Sequence, residues 1–115
     1  MVDLQWGIFW ADLNPVKGSE QSGRRPVLVI SAEEANSFLP VVTIMAVTSL
    51  KAGRKVYPSE VLLQLNETGL GKDSIAMAHQ MRAIAKERLE EKAGEIKSEY
   101  IKSRIKDAIR LYLDV

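Results

Sequence analysis

The chain has 115 residues, with 16 Lys and Arg against 15 Asp and Glu, one histidine and no cysteine. That length suits a single domain, residues 1–115, which buries about two-thirds of its unfolded surface without covalent staples. The missing cysteine excludes disulfides and thiolate metal sites, the lone His79 excludes a poly-histidine site, and a net charge of +1 leaves any nucleic-acid site to a local patch.

Residues 7–13 predict a strand. Ile8, Trp10 and Asp12 fall on one face, and Phe9, Ala11 and Leu13 on the other, more apolar one. Trp6 and Trp10 suit core or interface packing, or else a stacking platform for bases. Residues 12–26 follow as a loop punctuated by Pro15, Gly18 and Gly23. Ser19, Glu20, Gln21, Arg24 and Arg25 lie inside it: a hydroxyl, a carboxylate, an amide and two guanidinium groups. Loops mounted on a rigid scaffold are where binding and catalytic groups concentrate.

Residues 25–31 predict a second strand. Val27-Leu28-Val29-Ile30 has no polar alternation, which indicates burial on both faces. Arg25 stands at its start, directly before Pro26, a rigid mount for a cation. Residues 33–38 predict a short helical or turn insertion ending at Pro40. Asn36 within it reads either as a turn former or as a contact for a base edge. Residues 41–47 predict a third, β-branched strand closed by Thr48 and Ser49.

Residues 50–58 carry Lys51, Arg54 and Lys55 and predict a basic loop able to neutralise phosphates. Residues 60–65 predict a short strand and residues 66–73 a loop with Gly69 and Gly71. Residues 74–84 predict a further strand, in which Ile75, Met77, His79 and Met81 alternate with Ala76, Ala78, Gln80 and Arg82. The alternation breaks at Met81 to Ile84, the expected place of a bend. Residues 85–89 predict a single helical turn. Ser98 suits the N-cap of a final helix with Ile101, Ile105, Ala108, Ile109 and Tyr112 on one apolar face. Lys102, Lys106 and Arg110 line its solvated flank. Early strands and a terminal helix indicate a mainly β or α+β domain. No run is apolar and long enough to span a bilayer, and no basic-then-apolar leader opens the chain, so a cytoplasmic location is expected.

Three strings, Trp10-Ala11-Asp12-Leu13-Asn14-Pro15, Gly18-Ser19-Glu20-Gln21 and Arg25-Pro26-Val27-Leu28-Val29-Ile30, resemble the MazF/PemK family of ribosome-independent toxin endoribonucleases. Thr48-Ser49, Leu70, Asp73-Ser74, Gln80-Met81-Arg82-Ala83-Ile84, Arg88-Leu89 and Gly94 continue the resemblance in order, over nearly the whole chain. The Gly-Ser-Glu-Gln to Arg-Pro block is its most specific part. The resemblance implies a small, strongly bent SH3-like barrel of the CcdB/PemK type with a C-terminal helix, paired as a homodimer. It implies sequence-specific, metal-independent cleavage of single-stranded RNA by the RNA's own 2′-hydroxyl, leaving 2′,3′-cyclic phosphate and 5′-hydroxyl ends. It also implies a MazE-like antitoxin whose acidic, disordered tail would occupy the basic RNA groove. No cofactor or metal is expected. A non-catalytic, CcdB-like gyrase inhibitor of the same superfold is the alternative.

Such cleavage needs a group to take the 2′ proton, a group to protonate the leaving oxygen, and donors for the phosphorane. Arg25 and Thr48 match the family's active-site arginine and threonine. Arg25 suits the phosphorane clamp because its planar fork spans two phosphate oxygens and stays charged. Glu20 is expected either as the base or as the orienter of Arg25. Ser19, Gln21 and Arg24 are expected to position RNA, with Asn36, Ser49, Lys51, Arg54, Lys55, Gln80 and Arg82 completing the RNA surface. His79 departs from the family, where the residue before this glutamine is often acidic. It is expected either as an acid–base group or as a packed or base-contacting ring.

Overall fold

Alternating and continuous apolar runs fold the chain into one bent antiparallel sheet closed at one side by a helix. The structure, a computed structural model, describes residues 3–115. The strands are β1 (Gly7–Asp12), β2 (Arg24–Val29), β3 (Val41–Ser49), β4 (Glu60–Leu63), β5 (Ser74–Ala85) and β6 (Leu89–Glu95). The helices are α1 (Glu33–Phe38), α2 (Leu65–Thr68) and α3 (Glu99–Leu113), with a 3₁₀ turn at Lys86–Arg88. The strand order is β4-β5-β3-β2-β1-β6. The expected mainly β or α+β class with a C-terminal helix is therefore present. Among the described residues the ladder does not close, so the barrel is an open one with β4 and β6 as its edges.

The period of two along each strand sorts the core into two layers. One layer holds Ile8, Leu28, Met45, Val47 and Ala76 against Ile101, Ile105 and Ala108 of α3. The other holds Phe9, Ala11, Leu13, Val27, Ile44 and Met77, bordered by Leu4, Val16, Leu50 and Leu89. The unbroken apolar runs of β2 and β3 follow from this: their residues are buried from above and below. Helix α3 begins at Ser98, whose hydroxyl accepts from the Ile101 amide at 3.2 Å. Its buried stripe stops at Ala108, since Tyr112 is 48% exposed.

Register places the strand ends that matter. Ala11 pairs with Arg25 across β1 and β2. Val27 pairs with Ala46 across β2 and β3. Beyond that pairing β2 begins and β3 ends at the same side of the sheet, so Arg25 and Thr48 stand at neighbouring strand ends. The bend falls just before the expected place. Met45 pairs with Met81 and Val47 with Ala76, so residues 77–80 of β5 stand opposite a single residue of β3. There β5 turns to β4, with Met77 opposite Glu60. Strand β6 lay unseen in the sequence, because Leu89–Glu95 is charged and its ladder with β1 shifts register twice. The short helix α2 likewise occupies part of the expected 66–73 loop.

One buried carboxylate anchors the basic loop between β3 and β4. Glu60 is 2% exposed. It accepts two bonds from the Arg54 guanidinium, at 3.0 and 2.9 Å, and one from the Tyr57 amide at 3.0 Å. Burial raises its pKa, but the Arg54 and Tyr57 hydrogen bonds and the nearby positive charges outweigh burial and hold it below the usual carboxylate range. A lowered folded pKa stabilises above the unfolded value, near 4.5, and that contribution is lost as pH falls through the folded value. Urea unfolding from pH 7 to pH 3 should therefore show falling stability below about pH 4.5, and Glu60→Gln should flatten that fall. An equal slope in both proteins would show that the pair does not set the acid limb.

Candidate functional site

Arg25 and Thr48 line the same cavity. Pro26 fixes the chain after Arg25, and the Arg25 Nε donates to the Ser22 carbonyl at 3.0 Å. That bond leaves the two Nη groups of the fork available. The cavity, about 320 Å³, is lined by Trp10, Arg25, Thr48, Ser49, Lys51 and Lys72, among others. Arg24 also lines it but is engaged elsewhere. Its guanidinium bonds Glu90 at 2.7 Å and Glu91 at 2.8 Å on β6 and lies 4.7 Å over the Trp10 ring. The Glu90 hydrogen bond raises the Arg24 pKa further above its ordinary value. Trp10 is thus neither pure core nor a bare platform, since one of its faces carries a guanidinium.

A second cavity of about 230 Å³ lies at the β5 bend, lined by Leu13, Glu20, Gln21, His79, Gln80 and Arg82, among others. The Gln80 amide joins it to the β1–β2 loop. Its Oε1 accepts from the Gln21 amide at 3.2 Å and its Nε2 donates to the Ser19 carbonyl at 3.2 Å. Arg82 donates to the Leu13 carbonyl at 3.1 Å. Arg88 donates to the Asp12 and Asn14 carbonyls at 3.1 and 3.0 Å. Sequence reading placed Arg88 only within the family resemblance. Its work here is to hold the start of the loop by backbone carbonyls, which no spacing rule signals.

The expected residues thus divide. Arg24, Arg25, Thr48, Ser49 and Lys51 meet at the first cavity, and Glu20, Gln21, His79, Gln80 and Arg82 at the second. Glu20 is not the orienter of Arg25: its carboxylate turns back to accept from the Lys17 amide at 2.5 Å, and the Ser22 carbonyl holds Arg25 instead. Asn36 is not presented to a ligand. It is 1% exposed, and its amide group accepts from the Ser31 hydroxyl at 2.6 Å and donates to the Ser31 carbonyl at 2.9 Å. Arg54 is spent on Glu60 and on the Lys55 carbonyl, which leaves Lys51 and Lys55 as the exposed cations of that loop. His79 stands by Glu60 rather than by Arg25, with its Nε2 3.9 Å from the carboxylate and its Nδ1 3.4 Å from the Ser59 hydroxyl. Among the described residues no three His, Cys, Asp or Glu side chains are grouped to hold a metal ion.

Residues 4–113 match the model of a family described as PemK-like, MazF-like toxin of type II toxin–antitoxin systems. The chain is 39% identical over 118 residues to the endoribonuclease MazF9 of Mycobacterium tuberculosis, covering 97% of this chain and 98% of that protein. It is 34% identical over 113 residues to the endoribonuclease EndoA of Bacillus subtilis, covering 98% and 96%. Its fold matches the crystal structure of MazF from Deinococcus radiodurans with a TM-score of 0.80 at 27% identity, over 100% of this chain and 99% of that one. It matches a chain of a MazE–MazF structure from the same organism with a TM-score of 0.74 at 27% identity, over 100% and 98%. A match that runs from the first strand to the end of the last helix turns the resemblance of the Gly18–Gln21 and Arg25–Pro26 block into kinship: the chain belongs to the PemK/MazF family of type II toxin–antitoxin toxins.

Proposed function

We propose that this protein is an endoribonuclease toxin that cuts single-stranded RNA through the RNA's own 2′-hydroxyl, without a metal ion. The observation that carries the reading is the shared cavity of Arg25 and Thr48. A guanidinium held by its Nε alone offers two parallel donors to the non-bridging oxygens of a scissile phosphate. Thr48 adds a hydroxyl donor at a strand end, and Lys51 and Lys72 supply charge at the rim. In-line attack of the 2′ oxygen, which gives up its proton, forms a bond to phosphorus while the bond to the 5′ oxygen breaks and that oxygen takes up a proton. The products are a 2′,3′-cyclic phosphate and a 5′-hydroxyl. Donors already aimed at the developing charge cost no reorganisation when it forms.

Glu20, Gln21, His79, Gln80 and Arg82 form the second half of the RNA surface, where bases and sugars next to the scissile phosphate are gripped. The relatives are named endoribonucleases, so a gyrase-inhibiting, non-catalytic reading is not favoured. RNA as substrate puts the action in the cytoplasm. No described helix is long and apolar enough to cross a membrane. The same cationic rim suits an acidic antitoxin segment that folds as it binds. A MazE–MazF assembly among the structural relatives supports that partner. The protein acts as a homodimer with RNA along a groove shared by both subunits. Ile105 is buried in its own subunit and offers nothing to a partner, whereas Phe38 at 80% exposure, Leu39 and Val41 present apolar surface from the end of α1 to the start of β3.

Incubation with RNA in the presence of chelator should give cleavage with a 2′,3′-cyclic phosphate end. A substrate with a 2′-deoxy sugar 5′ of the cut should bind and stay whole. A 3′-hydroxyl with a 5′-phosphate would mean that water attacks, and the assignment of Arg25 and Thr48 would fall. Arg25→Ala should slow the bound step by roughly 10²–10³. Arg25→Lys should rescue little, because a point charge cannot replace the fork. Thr48→Val should cost less than Arg25→Ala.

The exposed lysines give a separate measurement. Lys51→Ala with Lys55→Ala should weaken RNA binding and lower the dependence of log K on log salt, by about one unit for each phosphate no longer neutralised. An unchanged slope would mean the loop is only solvated. Sedimentation at micromolar concentration should show a dimer, and Phe38→Asp should shift it toward monomer. A fully active monomer would overturn the shared groove.

A further inference from the structure

Glu60 is a buried carboxylate at the start of an edge strand, and the scheme above gives it no task. It accepts from Arg54 with both oxygens and from the Tyr57 amide with one. The Glu60 amide in turn donates to the Tyr57 carbonyl at 2.8 Å. The Arg54 amide donates to the Lys51 carbonyl at 3.0 Å, which curls the loop onto its own guanidinium. On its other side the carboxylate faces the His79 Nε2 at 3.9 Å. The His79 ring also meets Ser59 at 3.4 Å and the edge of Tyr112 with ring centroids 6.5 Å apart. One side chain thereby touches the loop that brings Lys51 to the first cavity and the bend that brings His79 and Gln80 to the second.

We propose that Glu60 is a positioning residue that sets the Lys51–Tyr57 loop and His79 in one fixed relation, so that the phosphate-binding and base-gripping halves of the site meet RNA already ordered. The proposal rests on the RNA-cleaving reading of those two cavities. The loop between β3 and β4 has no helix or strand of its own, so its order comes from bonds such as these. Ordering long lysine side chains only on contact with RNA would be charged against binding. A carboxylate is an unexpected choice for the centre of a phosphate-binding loop, because it cancels the charge of Arg54. Replacing a buried pair by apolar residues often leaves a protein as stable. The pair's loss of charge and of easy burial is accounted for by geometry: three donors of the Arg54–Tyr57 stretch converge on two oxygens that His79 of β5 also faces. Arg25 and Thr48 stand on β2 and β3, outside this cluster, so loss of Glu60 should act on RNA binding before it acts on the chemical step.

The sign of one substitution separates this role from plain electrostatics. Glu60→Gln frees the Arg54 charge and makes the loop more positive by one unit. If charge alone mattered, RNA would bind more tightly. Positioning requires the reverse. With a cleavable RNA oligonucleotide, KM should rise roughly tenfold, kcat should change by less than about threefold, and exchange of the Arg54 and Tyr57 amides should quicken. The paired variant Arg54→Met with Glu60→Leu removes both charges together and guards against misfolding of the single variant. Its thermal midpoint should stay near that of the parent while KM rises as in Glu60→Gln. Either folded variant with unchanged or lowered KM, or with amide exchange like the parent's, would overturn the proposal. If the parent protein fails to cleave RNA, the reading of the cavities falls instead. Binding of the same RNA and the amide exchange then decide the role of Glu60 by the same signs.

Discussion

Burial of β2 and β3 on both faces is the constraint from which the rest of the molecule follows. Val27, Leu28 and Val29 alternate between the two apolar layers, and Ile44, Met45 and Ala46 do the same beside them. A slip of one residue would exchange the layers for every side chain in the strand. The register is therefore held by the whole core, and the strand ends inherit that precision. Arg25 and Thr48 occupy such ends. Pro26 adds a fixed torsion next to the arginine at the position where β2 meets Trp10.

Charge near the site is distributed so that few cations remain unpaired. A net charge of +1 over the chain gives no sign of an RNA surface. Locally, Glu90 and Glu91 occupy Arg24, Glu60 occupies Arg54, and backbone carbonyls occupy Arg82 and Arg88. Arg25 keeps its fork, with Lys51 and Lys72 beside it. Arg25, Arg54, Arg82 and Arg88 each donate to at least one backbone carbonyl of a loop or strand end, a use that suits a group with five donors. The long β1–β2 loop has no periodic structure of its own, so it relies on such ties at both ends.

What the sequence made legible were features carried by periodicity or by a local motif. The β2 run, the Phe9, Ala11 and Leu13 face, the Ser98 cap and the α3 stripe as far as Ala108 are all of that kind. The family resemblance named Arg25 and Thr48 together, and both line one cavity. Features decided by folded contacts that follow no period or motif stayed hidden. Glu60 reads as an ordinary first residue of a strand, and only the fold brings Arg54, Tyr57 and His79 around it. Asn36 reads as a polar turn residue, yet Ser31 draws it inside. Strand β6 has Glu90, Glu91, Lys92 and Gly94 where a pattern of alternation would be sought, because an edge strand with one neighbour and a shifted register has little burial to record.

The open sheet has a consequence for the solubility of the chain. An unclosed ladder leaves β4 and β6 each with strand pairing on one side only, the arrangement that invites edge-to-edge growth. Strand β4 answers by being only four residues long. Strand β6 answers with a charged middle, Glu90-Glu91-Lys92, and with two irregularities that break the flat repeat a further strand would need. Such blunted edges keep single molecules from templating one another into fibres, whether or not a partner covers the rest of the surface.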